Sequence, residues 1–193
     1  MRIHLRIPLL SLVLCACAQP RFASAPDLHS SDPAVYRAVL DSMSVPQGGK
    51  RPTQLVVIDG TLTVQPQDLE LDKLPGVDSA AISDFQKRNS ESHSLTYLSS
   101  PDLSVPIVLV SRQTLQSFLH NGPDAYWTEF YRRYPGSGGS SSFSSIGYSA
   151  DRSVALLMVD QGCGTLCGAG SNVVVKREGG RWRVAIIQIT VVS

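Results

Sequence analysis

The sequence predicts an α+β fold, with helices packed on one face of a mainly antiparallel sheet that ends in a three- to four-stranded meander. Three observations carry that prediction. Apolar residues recur at helical spacing only before Tyr134, whereas the chain after Ser142 breaks into short strand-like runs. The elements run helix, strand, helix, strand, helices and then a series of strands, with no repeat, an order that argues α+β. Finally, Glu178-Gly179-Gly180-Arg181 is a two-residue hairpin signal between two such runs.

At 193 residues the chain suits a single domain with a real core. We divide it into a leader (1–18), a tether (19–31) and the domain (32–193). The leader has a basic start (Arg2, Arg6), an apolar stretch from Ile7 to Leu14, and small residues after it, the plan of a secretory signal. The stretch is too short for a resident membrane helix. Two processing routes fit. Leu14-Cys15-Ala16-Cys17 resembles a bacterial lipobox, with Cys17 taking the lipid and holding the protein at the membrane surface. Ala16-Cys17-Ala18 also fits ordinary signal cleavage. Residues 19–31 are polar and Pro-containing, as a tether is. Without Arg2 and Arg6 the 17 basic and 16 acidic side chains become 15 and 16, a formal charge of −1. No basic block calls for nucleic acid.

Asp32-Pro33 opens the first predicted helix, with Asp32 as its cap and Val35, Val39, Leu40 and Met43 as its stripe. Residues 54–64 read as a strand, or as two strands joined at Asp59-Gly60. A short helix follows at 78–90, capped by Asp78 or Ser79, then a strand at 104–111. Ser111 caps the next helix, and Gly122-Pro123 separates that helix from an aromatic one. Pro135 to Ser142 reads as a low-complexity connector rather than a phosphate loop, because the P-loop lysine is missing and a strand follows. In the last strand the apolar set changes face between Ile186 and Ile187. That shift predicts burial on both faces or a bulge near Ile187-Gln188.

Candidate chemistry is sparse. Cys163 and Cys167 lie four apart among glycines in "GCGTLCGAG". Redox pairs favour C-x-x-C at a helix N-terminus, and zinc needs a second ligand pair. A disulfide across a curled hairpin end fits better. Residues four apart sit about 6 Å apart in a helical turn but roughly 13 Å apart in an extended strand. His29, His93 and His120 have no ligand spacing, Gly147-Tyr148-Ser149-Ala150-Asp151 lacks the last glycine of a nucleophile elbow, and Asp68, Glu70 and Asp72 lack the pattern of a calcium loop. In the aromatic helix, Trp127, Phe130, Tyr131 and Tyr134 recur at helical spacing. They make either a core stripe with snorkelling arginines or a ligand groove formed by Trp127, Tyr131 and Arg132.

The stretches "DFQKRN" (84–89), "FSSIGYS" (143–149), "ALLMVD" (155–160), "GCGTLCGAG" and "GGRWRV" (179–184), together with Trp127, Phe130 and Tyr134-Pro135, resemble a pattern of exported or lipid-anchored bacterial proteins that carries no known activity. The resemblance implies an extracytoplasmic domain with a carboxy-terminal antiparallel sheet and transfers no catalytic residue. The expectation is a bacterial cell-envelope protein with a non-enzymatic binding or structural role. It would be membrane-associated through Cys17 and would bind a ligand or protein partner, with no cofactor, metal or nucleic acid. The alternative is an exported enzyme, either a hydrolase or a thiol-redox protein using Cys163 and Cys167.

Overall fold

The computed structural model describes residues 31–44, 51–64, 71–98 and 105–192. The leader with Cys17, most of the tether, His29, Asp68 and Glu70 lie outside the described residues. The elements are α1 (Asp32–Met43), β1 (Gln54–Ile58), α2 (Ser79–Arg88), β2 (Ile107–Val110), α3 (Arg112–Gln116), α4 (Pro123–Arg133), β3 (Ser137–Phe143), β4 (Gly147–Tyr148), β5 (Val154–Gly164), β6 (Cys167–Glu178) and β7 (Arg181–Val192). One seven-stranded sheet runs β2-β1-β3-β5-β6-β7, with β4 added beside β5. β1 is parallel to both β2 and β3, and all other pairs are antiparallel. The fold is α+β, and β5–β7 form the expected meander.

Strand alternation sends one set of side chains to each face. Leu55, Val57, Phe143, Leu157, Val159, Val173 and Val175 pack with Val35, Tyr36, Val39 and Leu40 of α1. On the opposite face Leu156, Val174 and Ile186 meet Phe85 of α2, while Val56, Ile58 and Val110 meet Leu115 of α3 and Phe130 and Tyr134 of α4. Three helices therefore share a face and α1 covers the other. β1 explains that arrangement, because its run Leu55-Val56-Val57-Ile58 is buried on both sides and needs cover on both.

Three local readings change. Asp59-Gly60 is not a hairpin turn. β1 already has β2 and β3 as neighbours, and the chain beyond it makes only single bridges, Gly60 to Ser94 and Leu62 to Ser144. The segment expected as a connector is strand β3. Its small residues permit close packing: a Cβ on Gly139, whose φ is 111°, would lie 2.1 Å from the Gly162 carbonyl oxygen. Asp32 does not cap α1 through its side chain; Ser31 occupies the cap position and Asp32 bonds elsewhere. Asp78 and Ser111 do cap α2 and α3, accepting from the amides of Ala81 at 2.7 Å and Thr114 at 3.0 Å.

The stretches 84–89 and 143–149 meet at a buried polar latch. Arg88 Nη2 donates to Asp32 Oδ2 at 2.6 Å, Tyr148 Oη donates to Asp32 Oδ1 at 2.8 Å, and Arg88 Nη1 donates to the Ile146 carbonyl. Burial opposes the charge on Arg88, but the hydrogen bond and charge of Asp32 outweigh it and raise its pKa. Desolvation, and then the Asp32 charge, push the Tyr148 hydroxyl far above its ordinary value. Asn89 imitates a strand partner for Ser145: its Oδ1 accepts from the Ser145 amide at 2.7 Å and its Nδ2 donates to the Ser145 carbonyl at 3.0 Å. Gly147 lets α2 lie flat on β4, since a Cβ there would sit 2.5 Å from Phe85.

β7 carries two irregularities. Val175 pairs with Val184 but Val174 with Ile186, and Ser171 pairs with Ile189 but Gly170 with Val191. Ala185 and Thr190 are thus bulged, bracketing the place where the apolar pattern changes face.

Candidate functional site

The helix-rich face of the sheet carries two groups of helices. α2 covers one end and α3 with α4 the other. On this face Ser142 stands opposite Asp160, and one step along the strands Asn172 stands opposite Gln188. Asn172 is fully buried, between Met158 on β5 and Gln188 on β7. Neither its Nδ2 nor its Oδ1 has a hydrogen-bond partner, and the buried Oε1 of Gln188 has none either. Buried amides are nearly always paired, so these orphaned atoms require a reason.

Asp160, on β5, is exposed. Desolvation raises its carboxyl pKa, and the Arg112 guanidinium acts in the opposite direction. Gly170, opposite Asp160, must be small: a Cβ there would come within 2.9 Å of Asp160 Oδ1. Arg112 opens α3 and borders two adjoining concavities, which also share Ile58. One, of about 430 Å³, is polar and lined by Asp59, Thr61, Thr63 and Ser92. The other, of about 350 Å³, is apolar and lined by Leu115, Leu119, Tyr126 and Trp127. The two concavities therefore place the Arg112 cation and the Asp59 carboxylate beside an aromatic groove. Such a combination holds a small molecule by a few directed polar contacts and an apolar arm.

Of the groove residues expected from sequence, Trp127 lines this concavity and stacks edge-on against Phe130 at 5.2 Å. Tyr131 turns to the β5–β6 hairpin, where its hydroxyl donates to the Cys163 carbonyl at 2.8 Å. Arg132 is exposed and makes a two-pronged bond to Glu129 one helical turn earlier. Leu115, Leu119, Tyr126 and Arg112 are the partners that sequence reasoning missed. Asn172 was missed as well, since a lone Asn in a strand carries no motif.

Cys163 and Cys167 form a disulfide with their Cα atoms 5.0 Å apart, closing the β5–β6 hairpin at Thr165-Leu166. Both belong to strands, so neither cysteine heads a helix as the attacking thiol of a redox pair does. The tip is also tied to α4: the Thr165 hydroxyl donates to Asp124 Oδ1 at 2.6 Å, and Gly162 lies under the Trp127 ring. His93 Nε2 contacts the Arg88 carbonyl at 3.1 Å. Among the described residues, no ring nitrogen of His93 or His120 bonds a Ser or Cys side chain, and no three His, Cys, Asp or Glu side chains gather as a metal site. No helix among them is long and apolar enough to cross a membrane. Comparison with protein-family models, with curated proteins and with solved structures finds no match to this chain.

Proposed function

We propose that the protein is a binding domain of the bacterial cell envelope, held outside the cytoplasm by lipid on Cys17. Its ligand is a small molecule with a carboxylate, an amide and an apolar arm. The observation that carries the binding reading is Asn172, a fully buried amide with both polar atoms unpartnered. A buried unpaired amide costs about 1–3 kcal/mol, a cost that a ligand amide would remove. Arg112 supplies the counter-charge for a carboxylate and the Leu115–Trp127 groove takes the apolar arm. The leader pattern and the Cys163–Cys167 disulfide support an oxidising compartment.

N-acetyl-leucine is the simplest probe with all three groups. Titrated to about 10 mM, a concentration suited to weak fragment binding, it should give saturable shifts of the Asn172 side-chain amide and the Trp127 indole in nuclear magnetic resonance spectra. Asn172→Leu should abolish the indole shift. Shifts that never saturate, or that persist in the variant, contradict the site. Labelling with radioactive palmitate tests the anchor, since label retained by Cys17→Ser removes it.

A further inference from the structure

Two opposite charges stand at the carboxyl end of the parallel part of the sheet. The last pair between β1 and β2 is Ile58 with Val110. The Asp59 amide donates to the Val110 carbonyl at 3.0 Å, so the two chains leave the sheet together. Asp59 follows β1 directly, and Arg112 stands two residues after β2. Both line the polar concavity of about 430 Å³. Open sheets take their ligands outside the carboxyl ends of such strands. Among the described residues, neither side chain forms an ion pair or a hydrogen bond with another. We infer, resting on the binding reading above, that the ligand is a short peptide with a free amino terminus, its ammonium on Asp59 and its carboxylate on Arg112.

The groups around Asp59 accept hydrogens. Ser92 Oγ gives its own hydrogen to the Thr61 carbonyl at 2.6 Å, so its lone pairs are left to accept. It stands over the segment after β1, since a Cβ on Gly60 would lie 3.2 Å from it. A carboxylate beside a hydroxyl already used as a donor suits a ligand group that only donates. An ammonium is such a group, with three hydrogens and no acceptor. A calcium ion is the rival cation, but it takes about six to eight oxygen ligands, several of them carboxylate. Asp59 is the one carboxylate among the described residues lining this concavity.

The rest of the ligand follows from Arg112, which borders both concavities. A carboxylate bound there leaves the carboxy-terminal side chain beside Leu115, Leu119 and Trp127. That side chain is therefore apolar, and the amide of the binding reading makes the ligand a peptide rather than a free amino acid. Asp160 is the competing carboxylate, because Arg112 also acts on it, but it lines neither concavity.

Glycyl-leucine and N-acetyl-leucine differ by one ammonium group, so titrating both against the protein by nuclear magnetic resonance tests the inference. Glycyl-leucine should bind about fivefold tighter, and it alone should shift the Gly60 amide. Free leucine should bind more weakly than glycyl-leucine. In Asp59→Asn the two peptide probes should bind equally, whereas Asp160→Asn should keep the difference. The wild-type comparison and the Gly60 shift stand without any variant. Glycyl-leucine binding no tighter than N-acetyl-leucine, a preference that survives Asp59→Asn, or leucine matching glycyl-leucine overturns the inference and leaves the binding reading standing. Failure of glycyl-leucine and N-acetyl-leucine alike to bind overturns both.

Discussion

Asp32 and Arg88, whose charged groups lie 2.6 Å apart, join the first residue of α1 to the last residue of α2. The two helices cover opposite faces of the sheet, so this ion pair and Tyr148 beside it link the layers around its rim. The Asp32 and Arg88 side chains are 3% and 13% exposed, which places the pair where desolvation matters.

Breaking that pair from one side leaves a buried charge uncompensated. Arg88→Met is expected to destabilise the domain by about 3–5 kcal/mol. Asp32→Asn combined with Arg88→Met should cost less than the sum of the single changes, because the double variant strands no charge. Urea unfolding of the three variants measures the coupling, and simple additivity would contradict it.

The hairpin tip is held twice, by the disulfide and by Tyr131. Replacing Cys163 and Cys167 by Ala should cost about 2 kcal/mol, because the closed loop is very short. Tyr131→Phe should cost about 1 kcal/mol through its lost hydrogen bond to the Cys163 carbonyl. Both should loosen the tip selectively, seen as faster amide exchange at Thr165-Leu166 with little change in the α1 core.

Asp160 gives a pH signature of defined sign. Desolvation raises its folded pKa above the unfolded value, so the folded state favours the proton. Its favourable contribution is full below the ordinary carboxylate range and is lost as pH rises through the folded pKa. Asp160→Asn should therefore stabilise the protein at pH 7 and have little effect below about pH 3.5. Asp151 has the opposite shift: bonds from Ser149 and Ser153 lower its carboxyl to about 2. Its contribution is present above the ordinary carboxylate value and is lost as pH falls toward 2. Asp151→Asn should flatten the acid limb of the stability profile, although its exposure keeps the change small.

The meander was legible in the sequence because its signals are local. Gly179 and Gly180 both take positive φ, at 55° and 80°, as the hairpin requires, and the curled loop that Cys163 and Cys167 demanded is a hairpin end between two strands. β3 was not legible, since Ser137-Gly138-Gly139-Ser140 is strand only because Gly139 must approach Gly162 and Ser140 must pass under the aromatic helix. Asp32 looked like a cap because nothing near it in sequence reveals Arg88, 56 positions away. Trp127 could be placed in the groove from its helical spacing. Arg112 and Asn172 could not, because the sheet alone brings β5, β6 and α3 together.

The central claim is that Asn172 serves a ligand rather than the fold. Thermal unfolding of Asn172→Leu tests it most directly. If the amide is orphaned in the free protein, an apolar side chain of similar volume relieves an unpaired burial, and the midpoint should rise by a few degrees, at about 2–4 °C per kcal/mol for a domain this size. A fall in the midpoint would mean that Asn172 makes bonds the fold depends on, and would contradict the account.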